Sequence, residues 1–150
     1  MLTAKDIMTK NVITVAPELP VDKLAGILWQ NKISGAPVVD EDGNFVGVVT
    51  ESDLIDQTKK FHIPTVLTIL DAVIFLEKPS KMDKEIKKMT GTIVKDIYTT
   101  DPATVEEDTP LDEIASIMAE KHIHTLPVVK DGRVVGVVGK SDIIRTISKH

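Results

Sequence analysis

The chain has 150 residues, 42% of them apolar, few aromatics and a formal charge of −5. That length suits one compact domain or two small units packed together, and the apolar share is enough for a core, which argues against disorder. The acidic balance, with scattered basic residues and no aromatic platform, argues against nonspecific nucleic-acid binding, and the lack of cysteine excludes disulfides and thiolate chemistry.

The first residues, Met1 to Asp6, show no charged-then-apolar signal pattern, so a cytoplasmic protein is expected. A short apolar strand, "VITV", spans Val12 to Val15. Pro20, with Asp22 two residues on, reads as a helix entry. The helix places Val21, Leu24, Ala25 and Leu28 on one face. Pro37-Val38-Val39, a turn at Gly43 and Phe45 to Val49 read as a β-hairpin. Ser52-Asp53 then stands before Leu54-Ile55, where it caps a second helix.

Residues 57–92 read as an insertion. Ile69, Leu70, Val73, Ile74 and Leu76 are too apolar to stay in water and pack either on their own domain or on a second copy. Asp71 interrupts this stretch, which is also shorter than the ~20 residues a bilayer span needs, so no membrane association is expected. From Ser80 to Gly91 the pattern is that of a capped surface helix with a solvated, charged face.

The chain then repeats itself. Shifted by ninety residues, "KDIMTKNVITVAPELPVDKLAGIL" from Lys5 lies over "KDIYTTDPATVEEDTPLDEIASIM" from Lys95, and "ISGAPVV" from Ile33 over "IHTLPVV" from Ile123. One residue drops out of the second turn, after which "VGVVTESDLI" lies over "VGVVGKSDII". The second copy thus has a strand "ATV", a helix entry at Pro110 and Asp112, and a helix face of Leu111, Ile114, Ala115 and Met118. Its hairpin runs from Pro127 through the Asp131-Gly132 turn to Val138, with Ser141-Asp142 before Ile143-Ile144. Gly139-Lys140-Ser141 looks like the end of a phosphate-binding P-loop, but the earlier glycine is misplaced and the first copy has Thr50-Glu51-Ser52 instead. Each copy is β-α-β-β-α and too small to be stable alone. The expected fold is α+β: two such repeats, 1–56 and 93–150, packed sheet to sheet with pseudo-two-fold symmetry.

The repeated set "DIM…TV…P…ISGAPVVDEDG…VGVVTESDLI" resembles a tandem pair of cystathionine β-synthase (CBS) domains, a Bateman module, over residues 3–56 and 93–147. The resemblance implies a free-standing regulatory module that binds an adenosine compound: AMP, ADP, ATP or S-adenosylmethionine. It also implies a homodimer and an unidentified regulated protein.

Site residues follow from the same resemblance. Asp53 and Asp142 would accept hydrogen bonds from the ribose hydroxyls. Thr50 and Ser52 in copy one, and Ser141 in copy two, would contact ribose or phosphate; Gly139 stands where Thr50 does. The residues before each proline, Ile33, Ser34, Gly35 and Ala36, and Ile123, His124, Thr125 and Leu126, would read and sandwich adenine, their backbone held extended. Thr14 and Thr104 match positions near the nucleoside. Each site would join the Asp-bearing segment of one copy to the pre-proline segment of the other. By their charge alone, Lys32, Lys140 and Arg133 would neutralise phosphates locally despite the acidic total. On local sequence alone, capping explains the Ser-Asp pairs, core packing the isoleucines and strand propensity the threonines.

His122 and His124, at i and i+2 on a strand, could share a metal, but no third ligand is nearby and none is expected. No Ser-His-Asp set, metal cluster or P-loop points to an enzyme. Two readings remain: a non-catalytic adenosine-nucleotide sensor, or a structural pairing module that no longer binds ligand.

Overall fold

The computed structural model describes residues 1–60 and 92–149. The apolar stretch at 69–76 and the helix at 80–91 expected from sequence lie outside the described residues. A short helix α1 (Ala4–Ile7) precedes α2 (Val21–Asn31), the hairpin β1 (Gly35–Val39) and β2 (Phe45–Thr50), and α3 (Glu51–Lys60). The second copy begins with a 3-10 turn (Val94–Asp96) and continues with α4 (Leu111–Lys121), the hairpin β3 (Thr125–Lys130) and β4 (Arg133–Gly139), and α5 (Lys140–Lys149). Among the described residues no helix is long and apolar enough to cross a membrane.

The helices follow their apolar spacing. Pro20 and Pro110 are the extended N-cap residues, and their carbonyls accept the first helical bonds, from Leu24 and Ile114. Val21, Leu24 and Leu28 are buried on α2, as are Ile114 and Met118 on α4. A fully buried side chain of this size contributes roughly 1.5–3 kcal/mol. Each hairpin has a bulge at the same place, after Val38 in the first and after Val128 in the second. Asp131 and Gly132 both have positive φ, the geometry of a tight two-residue turn.

The expected first strands shrink to single bridges. Val15 N–H donates to Pro37 O and Val15 O accepts from Val39 N–H, and Val105 does the same between Pro127 and Val129. The ladder stops there because Pro37 and Pro127 have no N–H to donate. Of the other residues of "VITV", Thr14 is exposed and Val12 and Ile13 are half-buried.

The largest departure from the sequence reading is an exchange between copies. The segment that leads into each copy packs on the other copy. Ala4 N–H and Lys5 N–H donate to Thr109 O and Glu107 O, and Leu111 N–H donates to Leu2 O. The mirror set is Val94 to Leu19, Lys95 to Pro17 and Val21 to Thr92. Ala4 and Ile7 therefore sit in the core of Ile114, Met118, Leu126, Val128 and Val138. Val94 sits in the core of Leu24, Leu28, Ala36, Val38 and Val49. The exchange continues as Thr9 pairs with Val137 and Thr99 with Val48 through two backbone bonds each. At these crossings a Cβ on Gly47 would run into the backbone oxygen of Thr99 and into Tyr98, and one on Gly136 into the side chain of Met8.

The two hairpins meet at both ends. Ser34 and Thr125 share a hydroxyl bond at one end. At the other, Phe45 N–H donates to Gly132 O and Arg133 Nη2 donates to Asp42 O. Arg133 thus joins the two hairpin tips and lines neither cavity described below; its expected phosphate role is not supported.

Candidate functional site

Two open cavities lie between the repeats at pseudo-equivalent places. Helix α2 ends at Asn31, and Lys32 turns the chain in the left-handed conformation (φ 54). His122 does the same after α4 (φ 53). Such a conformation costs a non-glycine residue roughly 1–2 kcal/mol, and it directs the following four residues into an extended run ahead of the proline. Each run meets the start of the last helix of the opposite copy.

One cavity, about 310 Å³, joins Lys32, Ile33, Ser34 and Gly35 of the first copy to Lys140, Ser141 and Asp142 of the second. The other, about 370 Å³, joins His122, Ile123, His124 and Thr125 of the second copy to Thr50, Glu51 and Ser52 of the first. The expected crosswise construction is therefore present. Ser34, His124 and Thr125 line both cavities and form the wall between them.

Not every expected residue is there. Ala36 and Leu126 are fully buried in the two cores and line neither cavity. Thr14 and Thr104 are exposed on the far side of their segments, and Ile13 and Ala103 line the cavities instead. In an extended segment successive side chains point to opposite sides, so a one-residue error in facing is a complete one. Unforeseen lining residues come from the exchanged segments: Thr9 and Asn11 in the first cavity, Thr99 and Asp101 in the second. They repeat at the same ninety-residue shift, which was the only signal available for them.

The two aspartates cap their helices from inside the first turn, not from the cap position expected. Asp53 Oδ2 accepts from Thr50 N–H (2.9 Å) and Thr50 Oγ1 (3.3 Å), and Thr50 Oγ1 accepts in turn from Asp53 N–H (3.4 Å). This is a reciprocal capping box. Asp53 lies behind Thr50 and does not line the cavity. Burial pushes its carboxyl above the usual carboxylate value, the Thr50 hydrogen bonds oppose that, and nearby Asp56 adds to it.

Asp142 is bound more tightly. Its Oδ2 accepts from Gly139 N–H (2.8 Å), and its Oδ1 accepts from Thr9 Oγ1 (3.0 Å) and Arg145 Nη2 (2.6 Å). Its side chain is only 4% exposed, yet it reaches the first cavity. The hydroxyl that Gly139 lacks is thus supplied by Thr9, from the exchanged segment of the other copy.

His122 ends a helix and is not on a strand, so the spacing argument for a shared metal does not apply to it. Among the described residues no group of three or more His, Asp or Glu side chains could hold a metal ion.

The CBS domain family matches residues 4–60 and 94–149. The chain is 32% identical to the chloroplastic CBS domain-containing protein CBSX1 of Arabidopsis thaliana over 95% of its own length and 63% of that protein's, so it spans less than two thirds of that relative. A solved structure of CBSX2 in complex with AMP covers 99% of this chain and 98% of the other at 27% identity, with a TM-score of 0.74. The CBS domain pair of MJ0100, solved with 5′-methylthioadenosine and S-adenosyl-L-methionine, covers 99% and 98% at 28% identity, with a TM-score of 0.72. With both copies matched and the crossed architecture shared, the chain belongs to the CBS domain family and carries two such domains in tandem.

Proposed function

We propose that this chain is a regulatory module, without catalytic activity of its own, that binds an adenosine compound in the cavities between its repeats. The observation that carries the reading is the crosswise pairing of a pre-proline segment with a Ser-bearing helix start, made twice. The extended segments offer backbone groups and apolar side chains, Ile33 and Ile123, to a base. The helix starts offer Ser141 and the Thr50-Ser52 pair to a ribose or phosphate, at the end of a helix that favours anions. The AMP and S-adenosyl-L-methionine complexes of the similar pairs support the ligand class. Repeats 1–56 and 93–150 act as one unit, since each completes the other's core, and ligand binding shifts the balance between their arrangements by its differential affinity.

In the same proposal the module pairs with a second copy through α3 and α5. Ile55, Ile144 and Ile147 are 59%, 65% and 65% exposed, on the helix that ends each repeat. The competing reading, a pairing module that binds no ligand, draws on Asp142, whose carboxylate already holds three hydrogen bonds.

Thermal unfolding with AMP, ADP, ATP, S-adenosylmethionine and GMP separates the two. A ligand at ~100 times its dissociation constant adds ~2.7 kcal/mol, which raises the melting temperature by several degrees. A shift with adenosine compounds and none with GMP supports the sensor. No shift with any of them at millimolar concentration supports the pairing module.

A further inference from the structure

The two cavities are built from the same repeat positions, yet their charges are opposite. In the first, Lys140 opens α5, Lys32 closes α2, and Asn11 lies on the exchanged segment. At the equivalent places in the second stand Glu51, His122 and Asp101. The first has two lysines and one carboxylate, Asp142, and Arg145 neutralises that carboxylate at 2.6 Å. The second has one lysine, Lys121, and two carboxylates, Glu51 and Asp101. Behind it the carboxyl of Asp53 has Asp56 where Asp142 has Arg145. The charge inverts at two equivalent pairs, Lys140 with Glu51 and Arg145 with Asp56; Asn11 with Asp101 adds a negative charge to the second cavity, and Asn31 with Lys121 runs the other way.

We infer that the two cavities divide adenosine ligands by charge. The Lys32–Lys140 cavity takes a ligand that carries phosphate. The Glu51–Asp101 cavity takes one without phosphate, neutral or bearing a sulfonium cation. The inference rests on the adenosine reading above and adds to it which chemistry each cavity admits. A phosphate monoester brings between one and two negative charges near neutral pH. Beside Glu51 and Asp101 those charges meet like charge, and beside Lys32 and Lys140 they meet opposite charge. The four side chains are exposed, so the preference weakens with salt. Apolar packing on Ile33 or Ile123 is common to both cavities and does not discriminate.

The test uses the full chain at about pH 8, where the phosphate of AMP is fully ionised. AMP and 5′-methylthioadenosine are titrated by calorimetry and by backbone amide shifts, with Lys140–Asp142 reporting one cavity and Thr50–Ser52 the other. AMP is expected to shift the Lys140 group first and 5′-methylthioadenosine the Thr50 group. Lys140→Glu and Asn11→Asp should each weaken AMP by about tenfold at low salt and leave 5′-methylthioadenosine unchanged within about twofold. Glu51→Lys should admit a second AMP. Raising salt from about 0.05 to 0.2 M should weaken AMP alone. If AMP ignores Lys140→Glu and Asn11→Asp, or both ligands fill both cavities equally, the division by charge is wrong and the adenosine reading stands. If the wild-type chain binds neither ligand, both fall together. Amide spectra of the free variants show whether each is folded, and Asn11→Asp, which lies outside every helix and strand, decides the matter if Lys140→Glu is not.

Discussion

The Oγ of Ser34 lies 3.1 Å from the Oγ1 of Thr125, and the two residues belong to opposite repeats. Both line both cavities, so this one bond belongs to the wall that the two sites share. Thr125→Val keeps the shape and removes the hydroxyl. It should cost about 1 kcal/mol in denaturant unfolding and alter ligand affinity in both cavities. Thr9→Val, which touches the first cavity alone and loses the bond to Asp142, should alter only that one. Calorimetric titration of both variants checks the contrast.

The two capping aspartates should differ in their effect on stability. Asp142 accepts from Gly139, Thr9 and Arg145, and its removal leaves Thr9 and the Gly139 N–H without it. Asp142→Ala should destabilise by about 2–3 kcal/mol, less than for a fully buried ion pair because Arg145 is half exposed. Asp53→Ala loses only the Thr50 box and should cost about 1 kcal/mol. Urea unfolding curves of the two variants give the difference directly.

Asp53, on one side, and Asp6 and Asp40, on the other, set opposite pH trends. The folded state holds the Asp53 proton more tightly than the unfolded chain does, because of burial. Its contribution to stability is therefore fully present at acid pH and declines as pH rises from the unfolded pKa through the folded one. Asp6 and Asp40 run the other way. Hydrogen bonds, led by the backbone N–H of Thr3 for Asp6 and of Asn44 for Asp40, lower their carboxyls. Their contribution is present above the unfolded pKa and lost as pH falls through the folded one. Relative to the wild type, Asp53→Asn should gain stability as pH rises from about 3 to 7, and Asp6→Asn should lose it. Melting temperatures across that range decide both signs.

How far the sequence could lead is clearest at particular residues. The helices α2 and α4 and both hairpins were legible because Leu24, Leu28, Ile114 and Met118 keep a helical period, and because Gly43 and Asp131-Gly132 are turn signals between apolar runs. The pairing of Ser141 with Ile33 across repeats came from the family resemblance, and the structure shows why it holds. The composition of "VITV" suits a strand, but Pro37 across from it cannot donate, and Val15 alone is paired. The exchange of Ala4 and Ile7 into the second core was not legible at all. Their apolar spacing says that they are buried and cannot say against which copy. For the same reason nothing in the sequence marks Thr9 and Asn11 as cavity residues or shows that Arg133 binds the opposite hairpin tip.

That exchange has a measurable consequence. Ile7 precedes the first repeat's helix but is 4% exposed within the second repeat's core. Ile7→Ala should cost about 2–4 kcal/mol. Its methyl perturbations should fall on Ile114 and Met118, not on Leu24 and Leu28. A cost below about 0.5 kcal/mol would mean that the leading segment is not docked there.

The crossings offer a paired control. Gly47→Ala drives a methyl into the carbonyl oxygen of Thr99, which is backbone and bonded to Val48. Gly136→Ala meets the side chain of Met8, which is flexible and can move. The first should destabilise by about 2 kcal/mol or more and the second by clearly less. Equal costs in denaturant unfolding would place the two segments differently from the arrangement described.

The central claim is that adenosine compounds bind between the repeats, and the amide spectrum of the whole chain tests it most directly. Titrating AMP should move signals on both walls of one cavity together: Ile33–Gly35 from the first repeat and Lys140–Asp142 from the second. If AMP, 5′-methylthioadenosine and S-adenosylmethionine all leave both walls of both cavities unmoved at millimolar concentration, the chain is a pairing module and the claim is wrong.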